Sequence, residues 1–271
     1  MQLQPIETLQ TLDALKQRYL SQTTAALDGM WLHGFVPAAS HYAWSEGEQQ
    51  RGYFCVNDDG YMLQFFVDPR FRSKEAELFN HVARGESAVG VIKGAIVSTA
   101  EPHSLSLCLD HFRTFEVNAV MYQLDASEDE RTHSDAASTP LAKVTSSQLP
   151  DAVAFAMAEI GAPQDWVTGY YANLIDRGEL YGVTDHGRLV ATGENRRRDD
   201  LLAPHADLGV VVAQSQRGQG FATKILTTLV GMNGREGVRS ICSTESDNHA
   251  AQKAITRAGF VARNRIVRFD A

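Results

Sequence analysis

The chain has 271 residues, of which 44% are apolar and 21% are charged. This is the composition of a folded globular protein, and it excludes a disordered, collagen-like or low-complexity chain. A formal net charge of −8 argues against a protein that binds nucleic acid through its phosphates. The length predicts about two domains, since most domains have about 100–200 residues.

The charge is divided unevenly along the chain. Residues 1–136 contain 10 basic and 19 acidic residues, whereas residues 137–271 contain 15 basic and 14 acidic residues. The first part therefore carries a charge of −9 and the second a charge of +1. This asymmetry indicates two units with different surfaces.

The first ten residues lack the basic start and apolar stretch of a signal peptide, so none is expected, and no apolar stretch is long enough to predict a membrane span. The three cysteines, Cys55, Cys108 and Cys242, are far apart and form no CxxC pair, which argues against a disulfide framework and a cysteine zinc site. Motifs of the HExxH and HxH types are absent, so no metal site is predicted. We expect a cytoplasmic protein without a membrane partner.

The first element predicted in the first half is a β-hairpin, in which strands at residues 52–56 and 61–67 flank the turn signal Asn57–Gly60. A helix is predicted from about Ser73 to Val82. Strand material follows in residues 88–99, then a short helix in 104–112 and a strand in 115–124. Residues 125–140 are charged, small and polar, which predicts an exposed linker.

The second half alternates helices and strands. Helices are predicted at Pro150–Ile160, capped by Ser146 or Ser147, and at Gln164–Asp176. A hairpin turns at Asp185–Gly187 and is followed by the polar stretch 195–200. The remaining predicted elements are a buried strand in 206–213, an amphipathic helix from Phe221, a strand in 238–244, a helix from Asn248 to Arg257 and a closing strand in 261–269.

The two halves align with each other. Phe65-Phe66-Val67 matches Val210-Val211-Val212 at an offset of 145 residues, and Ser98-Thr99 matches Ser243-Thr244 at the same offset. Two matches at one offset predict an internal duplication. The chain is therefore divided into a domain of residues 1–124, a linker and a domain of residues 141–271, both of the α/β class with a mixed sheet.

The most informative segment joins the buried strand to the next helix, and its glycines are Gly218 and Gly220. Glycines let the backbone approach a ligand, and the free N–H groups and dipole of a helix start favour an anion such as a diphosphate. The P-loop pattern GxxxxGK[ST] is absent. A dinucleotide fingerprint would need glycine at Thr223, and about 50 residues then remain for a doubly wound sheet.

The segment resembles the acetyl-CoA loop of the GNAT family of N-acetyltransferases, R/Q-x-x-G-x-G/A, at Arg217, Gly220 and Ala222. The family's later helix has the pattern N-x-x-A-x-x-x-Y-x-x-x-G-F, which is matched at Asn248, Ala251, Gly259 and Phe260. The resemblance covers about residues 141–271. It implies tandem acyl-CoA N-acyltransferase-like domains.

The same resemblance implies that the second domain binds acetyl-CoA as the acyl donor. The strand residues Val210, Val211 and Val212 would hold the pantetheine arm through backbone hydrogen bonds. Backbone amides would hold the pyrophosphate, next to Arg217, at Gly218, Gln219, Gly220, Phe221, Ala222 and Thr223. Asn248 would contact the pantetheine or the thioester end, although it is also a typical helix cap.

In the family an amine attacks the thioester directly, and a tyrosine protonates the leaving thiolate. Here the tyrosine position holds Ile255. Another donor could serve, with Tyr170, Tyr171 and Ser243 as candidates, or the thiolate could leave unassisted, or the protein could bind acyl-CoA without catalysis.

A general base helps because the attacking amine must be neutral. The candidates are Asp207 and Glu194, each of which is also typical of a solvated surface carboxylate, and Glu245 is a weaker third.

Two further groups have alternative interpretations. The run Arg196–Arg198 lies between acidic residues, which predicts a solvated hairpin tip or a contact with an anion. Trp166 and Tyr170 are four residues apart in a predicted helix, so they form either core packing or a wall of the substrate site.

The first half has no glycine where the loop would lie, in Asp68–Glu75. Pro69 lacks an N–H, and the carboxylates of Asp68 and Glu75 would oppose a diphosphate. We interpret this half as a degenerate copy, whose negative charge attracts a cationic amine to the cleft.

The predicted function is therefore transfer of an acetyl group from acetyl-CoA to a primary amine of a small molecule or peptide. The alternatives are a non-catalytic acyl-CoA-binding or interaction protein, motivated by Ile255, and an NAD(P)-dependent oxidoreductase using the same loop.

Overall fold

The computed structural model describes residues 2–87, 89–125, 140–198 and 204–271, and for Arg198 the backbone alone. The chain forms two compact units, Met1–Val120 with Asn264–Ala271, and Met121–Arg263. The predicted linker at 125–140 lies outside the described residues except for its two ends. No helix of the described residues is long and apolar enough to cross a membrane.

The first unit is built on a mixed sheet with helices packed against it. Its strands are β1 (Gln2–Ile6), β2 (Ser40–Glu46), β3 (Gln49–Val56), β4 (Tyr61–Val67), β5 (Gly94–Ser98) and the first part of β6 (Thr114–Leu124). Its helices are α1 (Asp13–Leu20), α2 (Val36–Ala38), α3 (Glu75–Ala83) and α4 (Pro102–His111). Strands β1 to β4 pair antiparallel, whereas β4 and β5 run parallel.

The last strand of the chain, β12 (Phe260–Asp270), contributes residues to this first unit. Ile266–Asp270 pair antiparallel with Gly94–Ser98, and the fully buried Phe269 packs beside Phe112 at a ring distance of 6.1 Å. The pairing covers an edge of β5 that would otherwise expose unpaired N–H and C=O groups. The sequence-based domain of residues 141–271 thus differs from the observed unit at its C-terminal residues.

The second unit contains β7 (Ala142–Lys143), β8 (Leu180–Asp185), β9 (Arg188–Arg198), β10 (His205–Val212) and β11 (Arg239–Glu245) in the sheet order β11-β10-β9-β8-β7. Only β10 and β11 are parallel within this set. The helices are α5 (Leu149–Ile160), α6 (Gln164–Asp176), α7 (Phe221–Gly234) and α8 (His249–Arg257).

The two faces of β9 meet different helices, because side chains alternate along a strand. On one face Gly193 lies against α7, and an added Cβ would stand 2.7 Å from Ile225 Cγ2. Farther along this face Asn195 and Asn233 exchange two hydrogen bonds of 2.9 and 3.0 Å inside the core. On the other face the buried Thr192 lies 3.5 Å from the Tyr171 hydroxyl of α6.

The structure confirms the α/β class, the hairpins and most predicted helices, and it corrects several details. The cap before α5 is Thr145, which exchanges hydrogen bonds with Gln148 in a capping box, rather than Ser146 or Ser147. Strand β9 continues through the polar stretch to Arg198. In the first unit, the strand expected in 88–99 is limited to β5, and a 3₁₀ turn at Pro69–Lys74 precedes α3.

The division of β12 between the units gives a prediction with an internal control. Phe269→Ala should destabilise the first unit by about 3–5 kcal/mol, because it empties a buried aromatic site. Phe260→Ala removes an equally buried ring from the second unit. Amide hydrogen exchange should accelerate in the first unit for Phe269→Ala and in the second for Phe260→Ala. If both variants accelerated exchange in the same unit, the division of β12 between the two units would be contradicted.

Candidate functional site

The parallel pair β10 and β11 separates halfway along its length. The register joins His205–Leu208 to Arg239–Cys242 and ends there, although β10 continues to Val212 and β11 to Glu245. On its other edge β10 stays paired with β9 as far as Val212. Among the described residues, Gly209–Val212 therefore have no strand partner on the β11 side. Such an edge can bind an extended ligand through backbone hydrogen bonds.

The glycine loop follows this free edge. After a 3₁₀ turn at Gln214–Gln216 the backbone passes through Gly218 and Gly220, whose φ angles are 80° and 81°. This left-handed conformation requires glycine, and no atom lies within 4 Å of the Cβ position of either residue. No side chain of the described residues caps the start of α7. Its first N–H groups therefore lack a side-chain acceptor at the cap, and together with the helix dipole they suit an anion.

Arg217 stabilises the loop from its outer side. Its guanidinium donates to the Val212 carbonyl at 3.1 Å and to Glu159 Oε2 at 3.0 Å. The same Glu159 oxygen accepts from the Gln214 backbone N–H at 2.8 Å. The charge expected beside a pyrophosphate is therefore paired with α5, and the open inner face of the loop consists of backbone amides.

The other residues predicted to bind the cofactor surround this opening. Val210, Val211 and Val212 are half-buried, and Gln219 is exposed. Phe221, Ala222 and Thr223 form the half-buried first turn of α7, where Thr223 Oγ1 donates to the Ala254 carbonyl of α8 at 3.3 Å. Asn248 caps α8, because its Oδ1 accepts from the Ala251 N–H at 3.1 Å. Its two amide hydrogens are oriented by that bond.

A buried polar cluster lies on the α6 side of the sheet. The Tyr170 hydroxyl donates to Glu194 Oε2 at 2.5 Å. Arg196 Nη1 donates to the same carboxylate oxygen at 2.9 Å and to the Tyr170 oxygen at 2.8 Å. Arg196 Nη2 pairs with Asp207 Oδ2 at 3.1 Å. The four residues come from α6, β9 and β10 and form one network.

Two pKa shifts describe the electrostatics of this cluster. Burial raises the pKa of Tyr170, and the negative charge of Glu194 raises it further. Burial alone would lower the pKa of Arg196, but the carboxylates of Asp207 and Glu194 outweigh burial and raise it. At neutral pH the cluster therefore contains a neutral phenol and a guanidinium cation.

The sheet places Glu194 at the point where the strands separate. Glu194 is opposite Gly209 in the β9–β10 register, and a Cβ on Gly209 would stand 2.9 Å from Glu194 Oε2. The glycine thus makes room for the carboxylate. Since Gly209 is the first β10 residue beyond the β11 pairing, the carboxylate lies beside the start of the free edge.

This cluster corrects three expectations. Glu194 and Asp207 are only 6% and 1% exposed, so neither is a solvated surface carboxylate. Arg196 lies inside a strand and is buried in the cluster instead of at a solvated tip. Its neighbour Arg197, on the opposite face, pairs with the exposed Glu236. Arg196 and Gly209 were missed as site residues, although a glycine inside a buried strand often marks a close approach.

The remaining candidate residues differ in their burial and in their contacts with the cluster. Tyr171 is buried in the core of the second unit, Ser243 is half-buried in β11 and Glu245 is exposed. Ile255 is buried in α8 and offers no proton. Trp166 is 47% exposed and stacks on Tyr170 at a ring distance of 5.0 Å, so it extends the cluster toward solvent. The described residues contain no group of three or more side chains suited to a metal ion.

The corresponding positions of the first unit are filled by its own side chains. Asp68 caps the turn after β4, and its buried carboxylate binds the guanidinium groups of Arg70 and Arg18 at 2.7 and 2.6 Å. The hydrogen bonds from Arg70 hold the pKa of Asp68 well below its usual range. Strands β4 and β5 also separate early, but Ser104 Oγ donates to the Phe65 carbonyl at 3.2 Å. Phe65 is the residue aligned with Val210.

Two protein-family models match the chain. One is described as an acetyltransferase (GNAT) domain and matches residues 8–125. The other is described as an acetyltransferase (GNAT) family and matches residues 146–260. Each model therefore covers most of one half. The comparison with curated proteins gives no match.

Solved structures give similarity over the whole length. An acetyltransferase from the GNAT family of Colwellia psychrerythraea is 44% identical with a TM-score of 0.94, covering 100% of this chain and 99% of that chain. A tandem GNAT protein from the clavulanic acid biosynthesis pathway is 16% identical with a TM-score of 0.68, covering 100% and 98%. A Sphaerobacter thermophilus GCN5-related N-acetyltransferase is 13% identical with a TM-score of 0.63, covering 98% and 94%. The last two share the fold.

The pairing of the loop with α5 can be tested directly. Glu159→Ala removes the acceptor of both Gln214 and Arg217, so amide exchange in residues 214–220 should become several-fold faster. This corresponds to the loss of about 1 kcal/mol of local stability. Glu159→Gln keeps an acceptor oxygen, so its exchange rate in residues 214–220 should lie between that of Glu159→Ala and that of the wild type. Unchanged exchange in Glu159→Ala would show that the loop is held by other contacts.

Proposed function

The chain belongs to the GNAT family of acetyltransferases, with two such domains in tandem, and we propose that its second domain transfers the acetyl group of acetyl-CoA to a primary amine of a small molecule or peptide. The family implies an acyl-CoA donor and an acceptor. One observation carries the proposal: the free edge of β10 leads into an open glycine loop, with a buried carboxylate at its start.

We assign the donor to the free edge and the loop. The backbone of Val210–Val212 would bind the pantetheine arm, and the amides from Gly218 to Thr223 would bind the pyrophosphate, in keeping with the positive end of α7. Asn248 would contact the arm through its amide hydrogens, since its oxygen caps α8. Acetyl-CoA supplies an acyl group activated as a thioester.

We assign the general base to Glu194 in preference to Asp207. Both are buried and both pair with Arg196, but Asp207 lies deeper, whereas Glu194 lies beside Gly209 at the start of the free edge. The carboxylate would take a proton from the incoming ammonium, directly or through one water. The neutral amine then attacks the thioester carbon and forms the C–N bond, the C–S bond breaks and CoA leaves as the thiolate. The new amide nitrogen releases its second proton to water.

The leaving thiolate has no tyrosine donor at Ile255. Tyr170 is a poor replacement, because burial and Glu194 raise the pKa of its phenol, and its hydrogen is already donated to Glu194. We therefore propose that the thiolate leaves without a proton from Tyr170, which is compatible with the acidity of thiols. The role of Tyr170 is to orient the base.

We propose that the acceptor is a cation before it reacts. A primary amine is protonated at neutral pH, and the charge of −9 in residues 1–136 favours its approach over a distance limited by salt. The first domain has no comparable donor site in this proposal, because Asp68 and Ser104 occupy the equivalent positions.

The position of the donor loop predicts the effect of one substitution. Gly220→Leu should weaken CoA binding at least about tenfold, because it strains the loop and removes amide contacts worth about 1.5–3 kcal/mol each. Gly237→Leu is the control, since Gly237 has the same type of backbone, with φ 70°, and equally open surroundings. Calorimetry should show a lower affinity for CoA in Gly220→Leu than in Gly237→Leu. Equal affinities would contradict the placement of the pyrophosphate.

The assignment of the base predicts a loss of turnover without a loss of donor binding. Glu194→Gln should lower kcat by about 10²–10⁴-fold, the usual contribution of a general base, while the affinity for CoA stays unchanged. The matched control is Glu236→Gln, which alters an exposed carboxylate. Acetyl-CoA turnover over a panel of primary amines is the measurement. A Glu194→Gln enzyme with nearly full kcat would exclude Glu194 as the base.

A further inference from the structure

We propose that Arg196 is a positioning residue for acetyl transfer, which holds the Glu194 carboxylate and the Tyr170 hydroxyl in fixed places beside the free edge of β10. The inference rests on the proposed function of Glu194. It assigns a role in the reaction to a residue whose sequence context predicts a solvated surface.

The contacts of the guanidinium use its planar shape. Nη1 donates to two oxygens, Glu194 Oε2 at 2.9 Å and Tyr170 Oη at 2.8 Å. Nη2 faces Asp207 Oδ2 at 3.1 Å, and Nε donates to the Asp207 carbonyl at 3.3 Å. A guanidinium offers five N–H donors in a rigid plane, which lysine cannot reproduce. Nη1 therefore meets Glu194 and Tyr170, whereas Nη2 and Nε both meet Asp207.

Asp207 anchors the guanidinium at its far end. It lies opposite Arg196 in the antiparallel register of β9 and β10, so both side chains project from the same face. Because the side chain and the carbonyl of Asp207 both contact the guanidinium, Arg196 cannot turn toward Glu194 or away from it without losing these bonds. The anchor thus transmits the rigidity of the sheet to the base.

The result of this arrangement is a defined orientation of Glu194. Both hydrogen bonds to its carboxylate, from Arg196 and from Tyr170, fall on Oε2. Among the described residues, no side chain donates to Oε1, which leaves that oxygen for an incoming ammonium or a water. Gly209 leaves the space into which the carboxyl group fits.

Tyr170 completes a closed ring of three hydrogen bonds. Its oxygen accepts from Arg196 and its hydrogen is donated to Glu194, so Arg196 determines the direction in which the phenol donates. The groups that face Glu194 are thus Arg196 of β9, Tyr170 and Tyr171 of α6 and, behind Arg196, Asp207 of β10. Only Arg196 contributes a positive charge to this set.

The test compares variants that remove the charge, the planar shape or one partner. Arg196→Met removes both charge and shape, Arg196→Lys keeps the charge, and Tyr170→Phe removes one partner. Arg197→Met is the matched control, because it removes the same charge from the next residue on the opposite face. For each variant kcat, KM, CoA affinity and the pH dependence of kcat/KM are measured with the amine that the wild-type enzyme acetylates best.

Arg196→Met should lower kcat at least about tenfold through loss of alignment, with CoA affinity unchanged. The acid limb of its kcat/KM profile should move to higher pH, because the loss of a nearby cation disfavours the ionised carboxylate. Arg196→Lys should restore the acid limb but not the full kcat. Arg197→Met should resemble the wild type. A kcat and acid limb unchanged in Arg196→Met would overturn the proposal.

A second readout does not depend on turnover. With ¹³C-labelled glutamate, the Glu194 carboxyl resonance is assigned by its absence in Glu194→Gln, and its titration midpoint should rise in Arg196→Met but not in Arg197→Met. If the wild-type protein acetylates no amine, the proposed function fails, while an unchanged midpoint would separately exclude the positioning role. Should Arg196→Met not fold, Arg196→Met/Asp207→Asn removes one cation and one carboxylate together and gives the same comparison.

Discussion

The separation of β10 from β11 is the constraint on which the rest of the second unit depends. Once the parallel register ends at Leu208 and Cys242, those backbone groups of the next four β10 residues that point away from β9 need other partners, because N–H and C=O groups removed from water are costly when unpaired. The loop, the open start of α7 and the carboxylate over Gly209 all lie along this edge. A ligand with its own amide groups would complete the ladder.

The glycine loop could be predicted because its cause is local. A left-handed backbone at Gly218 and Gly220 depends on those two residues alone, and the helix after them has its own apolar period. The cluster around Glu194 could not be predicted, because it depends on distant partners. A run of three arginines is typical of solvent, and only the pairing of β9 with β10 and the approach of Tyr170 bury Arg196.

The two domains differ at the segment to which we assign the acyl donor. Both have a parallel strand pair that separates early, followed by a turn and a helix. In the first domain Asp68 supplies an internal anion to that turn, and Ser104 bonds the carbonyl aligned with Val210. Pro69 and Asp68 make this difference between the two segments visible in the sequence. The pairing of Ile266–Asp270 with β5 could not be predicted from the sequence, because nothing local specifies such a distant strand partner.

The acidic groups around Glu194 are distinct from the acidic surplus of residues 1–136, and the two act on a ligand in different ways. Two buried carboxyl groups, Glu194 and Asp207, share one guanidinium, so the cluster contains more acidic than basic side chains. A buried charge without a partner is costly, and an ammonium entering beside Glu194 would restore the balance. The surplus of acidic residues in residues 1–136 acts only within about 8 Å at physiological salt, the screening length. Under the proposed function, affinity for a cationic acceptor would therefore depend on Glu194 and its partners, and the charge of the first domain would contribute to the rate of encounter.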